Sequence, residues 1–89
     1  MAITHGMDIA AVRQLAAQLR TSAADIDTMT ATLTSMLSST PWLGADRTNF
    51  DNDWSGTYTP QLKAISQALV DFAGVADAHA NMQESTSQT

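Results

Sequence analysis

Thr40-Pro41-Trp42-Leu43-Gly44 lies almost at the midpoint of an 89-residue chain and is its only obvious break. Pro41 has a fixed φ and no amide donor, and Gly44 tolerates backbone angles that residues with a Cβ avoid. Helical patterns run toward this stretch from both sides. The reading is helix, turn, helix, with helices over about residues 8–39 and 45–82 and the turn at 40–44.

Upstream of the turn, Val12, Leu19, Ile26 and Leu33 fall seven apart, and Leu15, Met29 and Met36 follow three of them by three residues. This alternation of three and four places one apolar stripe on a helix, with Ser22 as its one weak rung. Ile9, Ala16, Ala23 and Leu37 widen the stripe along its edge. Asp8 is placed to cap the helix start, where a carboxylate accepts an unpaired backbone N–H and suits the positive helix end.

Downstream, Phe50, Trp54, Leu62, Ile65, Leu69, Phe72, Ala76 and His79 keep the same spacings once a polar turn around Gly56 and Thr57 is passed. Pro60 conflicts with this pattern. A proline inside a helix loses a hydrogen bond and clashes with the carbonyl four residues back, here Gly56, at a cost of about 3 kcal/mol, so a kink is expected there. The last six residues, 84–89, are polar without apolar periodicity and are expected to form a flexible tail.

Composition narrows the function classes. The chain fits one small domain, and nine acids against four bases give a net charge of −5, the wrong sign for neutralising nucleic-acid phosphates. With no cysteine, disulfides, thiolate catalysis and thiolate metal sites are excluded together. Residues 1–10 carry no Lys or Arg and no apolar run of signal-peptide length, so no general secretory signal is expected. The longest uncharged run, 28–45, is too rich in Thr and Ser to span a lipid bilayer.

Each stripe is wider than one neighbouring helix can cover, and a hairpin this small buries little surface. Two hairpins packed as a four-helix bundle solve both problems, so the chain reads as half of a dimer. The expected hairpin and dimer core comprises Val12, Leu15, Leu19, Ile26, Met29, Leu33, Phe50, Trp54, Leu62, Ile65, Leu69 and Phe72.

Trp42-Leu43-Gly44 between two amphipathic helices, in a chain of this length, resembles the WXG family of small type VII secretion proteins. The surrounding Thr40 to Asp46, then Phe50, Trp54, Pro60 and Leu62, is similar to actinobacterial members. The resemblance covers essentially the whole chain. It implies a helical-hairpin dimer, formed with itself or with a second WXG protein, and exported without a cleavable signal by a machine driven by a type VII secretion ATPase. It also implies action as an effector, a virulence factor or an escort for a larger secreted effector, with no enzymatic activity and no cofactor. Many members carry a Tyr followed four residues later by an acid near the end of the second helix, as part of the export signal. Here heptad register puts His79 and Gln83 at those positions, so the signal is either a variant or completed by the partner.

Trp42 serves equally as packing for the turn and as a recognition element, and we expect both roles. Trp54 and Phe50 read as core, Met29 and Met36 as pliable core filler, and His79 as a packing residue before a ligand. Asp51-Asn52-Asp53-Trp54-Ser55-Gly56 matches the opening of a calcium loop, but Leu62 stands where the bidentate Glu belongs. Asp46, Asp51 and Asp53 read instead as a solvated face near the start of the second helix. With His5 and His79 at opposite ends, no nucleophile, base and oxyanion donor assemble. A cytosolic helical adaptor or chaperone is the alternative function. A membrane-active effector ranks third, because the acidic charge opposes anionic lipid.

Overall fold

In a computed structural model, which describes residues 8–88, the chain is an all-helical hairpin with no strand among the described residues. Its first rod is α1, Ile9–Ser39. Its second rod comprises α2, Ala45–Asp53, a single π-helical turn, Trp54–Tyr58, and α3, Thr59–Gln88. The helix boundaries on either side of the central turn fall where the sequence places them.

The Asp8 carboxylate accepts the Ala11 amide hydrogen at 3.0 Å, and its carbonyl accepts the first helical bond, from Val12. At the other end of α1 the Ser- and Thr-rich sequence covers its own carbonyls. Ser38 and Thr40 hydroxyls donate to the carbonyls of Thr34 and Met36, at 3.2 and 2.6 Å. Thr40 is extended, and the chain re-enters helix through Gly44, whose φ of 114° and ψ of −175° suit glycine alone.

Pro60 neither breaks the second rod nor leaves a polar turn at Gly56 and Thr57. The helix widens for one turn, with the Thr59 amide donating to the carbonyl of Trp54, five residues back. Widening shifts the pairing by one residue, so the proline ring need not sit against the Gly56 carbonyl. The polar end is also more ordered than its composition suggests. Glu84 and Asn81 both accept from the Arg13 guanidinium, at 3.1 and 2.8 Å, and α3 continues to Gln88.

The seam between the rods corrects the expected core. Its buried residues are Ala16, Ala23, Ala73 and Ala80, with Ser66 donating its hydroxyl to the Ala23 carbonyl at 3.1 Å. Small side chains let the backbones approach closely, and the larger ones are pushed to the side. Val12, Leu19, Ile26, Trp54, Leu62 and Leu69 are half-buried. Leu15, Met29, Leu33, Phe50, Ile65 and Phe72, assigned to the core by periodicity, remain 42–57% exposed.

The two broad faces of the hairpin differ. One carries the ion pairs Arg13–Glu84, 3.1 Å, and Arg20–Asp77, 2.7 Å. On the helical wheel, Leu15, Met29 and Met36 of α1 and Ile65 and Phe72 of α3 lie on the opposite side of the seam, forming one apolar face. The chain exposes 6312 Å², about 1,300 Å² more than a compact monomer of its 9.5 kDa mass. It is 66 Å long and 17 by 16 Å across. At about 1.5 Å per residue, α1 is about 46 Å long, so the second rod projects beyond it at both ends.

Candidate recognition site at the helical tip

α2 is the projecting end, and it packs against no second helix. The central turn holds it in place. The Trp42 ring meets that of Phe50 at a centroid distance of 5.6 Å, tilted by 55°, in the edge-weighted geometry aromatic pairs favour. Trp42 is 37% exposed and Leu43 93% exposed, so the turn presents both to solvent.

Arg47 braces this arrangement. Its Nη1 donates to the carbonyls of Thr40 and Trp42, at 3.1 and 3.0 Å, and its Nε to both carboxylate oxygens of Asp51, at 2.9 and 3.0 Å. A cation at the carbonyl end of α1 also suits the negative end of that helix. The sequence reading missed Arg47. The signal available was its four-residue spacing to Asp51, together with its place as the only base between Arg20 and Lys63.

Beneath the turn lies an open cavity of about 300 Å³, lined by Leu33, Met36, Leu37, Trp42, Phe50 and Trp54. Trp54, one of the lining residues, is fixed by its Nε1, which donates to the Thr34 hydroxyl at 2.9 Å. The lining is almost wholly apolar, which suits an aliphatic or aromatic side chain better than a charged ligand.

His79 and Gln83, the register equivalents of the export-signal pair, share a shallow cleft with Met82 and Thr86. His79 is exposed and Gln83 half-buried. This cleft and the Trp42 turn are at opposite ends of the hairpin, since His79 follows Trp54 by about 37 Å of helix. One chain does not bring them together.

Asp51, Asn52 and Asp53 are helical, and Asp51 is engaged by Arg47, so these residues form no calcium loop. No three His, Asp or Glu side chains are grouped to hold a metal ion among the described residues, and His5 lies outside them. No helix among the described residues is long and apolar enough to cross a membrane.

Comparison with protein-family models, curated proteins and solved structures gives no match to this chain.

Proposed function

We propose that this protein is a substrate, or a substrate escort, of a type VII secretion system, acting through protein contacts as a dimer of helical hairpins. One observation carries the reading. Trp42-Leu43-Gly44 stands at a projecting, internally braced tip with its two apolar side chains offered to solvent. A turn whose only task was to reverse the chain would need neither a 93%-exposed leucine nor an arginine holding the backbone beneath it.

The apolar face supports the dimeric part, because side chains as large as Phe72 and Ile65 lie about half in water. In a dimer, the tip of one hairpin and the His79–Gln83 end of the other come together as a bipartite surface. The secretion ATPase is the proposed reader of that surface, and the complex is cytoplasmic before export and extracellular or surface-bound after it.

The test is export from cells carrying the machinery. Wild-type protein is expected in the medium only when the secretion ATPase is intact, and Trp42→Ala is expected to reduce export more than it reduces thermal stability. Retention in the cytosol with an active ATPase favours the adaptor reading. Equal loss of export and stability in Trp42→Ala leaves the tryptophan a packing role alone.

A further inference from the structure

We infer that the charged face of the hairpin, opposite the apolar one, docks a helix of a partner protein that carries a base and an acid about one turn apart. The inference deepens the escort reading by naming where an escorted protein is held, and it rests on that reading.

The ion pairs on this face follow a register that breaks once. Arg13, Arg20 and Asp27 fall seven apart along α1, and Glu84, Asp77, Val70 and Lys63 fall seven apart in the reverse direction along α3. Arg13 meets Glu84 at 3.1 Å and Arg20 meets Asp77 at 2.7 Å, so the next rung sets Asp27 against Val70. Asp27 therefore has no cation opposite it. Lys63, one step further along the α3 line, has no anion, because the α1 residue at that level is Thr34, which receives the Trp54 indole. Among the described residues both side chains are exposed, and neither makes an ion pair or a hydrogen bond.

The face opens at this break. Asp27 and Lys63 line a cleft of about 260 Å³ together with Thr30, Ala31 and Thr59. The seam changes at the same level, because the Ser66–Ala23 bond places Thr59 opposite Thr30, whereas the neighbouring layers hold Ala16, Ala23 and Ala73. The Thr30 hydroxyl donates to the Ile26 carbonyl at 2.8 Å. The Thr59 oxygen is buried with no partner, so the cleft wall holds a polar atom that the chain itself leaves unsatisfied.

A helix fits this face better than another copy of the chain does. Ala10, Ala17, Ala24 and Ala31 follow the outer edge of α1 at seven-residue spacing, so a third helix can lie close in the groove between the rods. A base on that helix meets Asp27, an acid one turn away meets Lys63, and Val70, 41% exposed, supplies apolar contact. A second copy would press its own Arg13–Glu84 and Arg20–Asp77 pairs against those already here and desolvate all of them. Docking on this side also leaves the apolar face free for the dimer.

The test is a titration of the isotope-labelled full chain with three alanine-based helical peptides, which carry Lys with Glu, two Lys or two Glu at a spacing of four. At about 0.15 M salt, where remote charges are screened, the mixed peptide should bind about threefold tighter than either like-charged one. Amide shifts should centre on Thr30, Ala31, Thr59 and Lys63. Asp27→Lys makes the cleft dicationic and should switch the preference to the two-Glu peptide. Lys63→Glu should switch it to the two-Lys peptide. Neither side chain has a polar partner within the chain, so both variants should keep wild-type helicity and melting temperature. No shift at millimolar peptide, or a preference that does not follow the substitutions, overturns the inference. So does a peptide-free tetramer that is lost in Asp27→Lys, which would assign the face to further copies of the chain. Export is read separately: export without peptide binding sinks this inference alone, and binding without export sinks the proposed function and leaves the docking surface.

Discussion

The indole of Trp54 donates to the hydroxyl of Thr34 at 2.9 Å, and that hydroxyl donates onward to the carbonyl of Thr30 at 2.8 Å. The relay ties the second rod to α1 just below the tip. Trp54→Phe keeps most of the ring and removes the donor, so it should cost about 1 kcal/mol in urea unfolding. Thr34→Val should cost a similar amount. The double variant should cost less than the two singles added, since both remove the same bond. Strict additivity would mean the bond contributes nothing.

Gly44 has nothing within 4 Å of where a Cβ would stand, yet its φ is 114°. Any penalty for Gly44→Ala is therefore conformational and not steric crowding. The expected cost is about 1–3 kcal/mol, read as a melting temperature lower by several degrees in a domain of this size. An unchanged melting temperature would show that the turn relaxes to another backbone conformation at no cost.

The helix boundaries at the central turn, the Asp8 cap and the hairpin were legible because each depends on local signals: a proline, a glycine, a carboxylate and a period of three and four. The far end of the second helix, expected at about residue 82, was not, since α3 runs to Gln88. The seam was not legible, because periodicity finds a stripe but does not say which edge faces which neighbour. Val12 and Leu15 belong to one stripe, but the first borders the seam and the second faces away from it. Ala16, in contrast, was read as an edge residue and is fully buried. A hydrophobic pattern marks the whole stripe, and within one chain only its small residues reach the seam while the large ones stand on the apolar face beside it. The π turn escaped for a related reason: Pro60 announces a conflict but not how the backbone resolves it. Of the Arg47 contacts only the four-residue spacing to Asp51 is written in the sequence; the two carbonyls it also holds, of Thr40 and Trp42, are recorded by no side-chain pattern.

Arg13 holds the Glu84 carboxyl below its ordinary value, chiefly through their hydrogen bond and then through its charge. A carboxyl lowered in the folded state contributes stability above its unfolded pKa, and the contribution is lost as pH falls through the folded value. Between neutral pH and about pH 3, amide protection near Glu84, taken relative to the intrinsic exchange rate at each pH, should therefore fall more than protection near Ser66. Glu84→Gln should remove most of that difference, because the neutral amide does not titrate. If wild type and variant respond alike to acid, the pair does not hold the end of α3.

Arg47 makes four hydrogen bonds, two to carbonyls of the turn and two to the Asp51 carboxylate, and with the Trp42–Phe50 ring contact it ties the turn to α2. Arg47→Met keeps much of the aliphatic stem and removes every donor. Total helicity and solution mass should then hold, since the seam and the apolar face are untouched. In a Trp54→Phe background, where Trp42 is the sole indole, acrylamide quenching should increase as the ring loses its fixed seat. Export should fall by a comparable factor to that of Trp42→Ala if the machinery reads the turn's geometry. Arg47→Lys should rescue it poorly, because a single ammonium cannot reproduce the guanidinium fork across two carbonyls and a carboxylate. Increased quenching with unimpaired export would separate the two roles, leaving Arg47 as a brace for the fold alone.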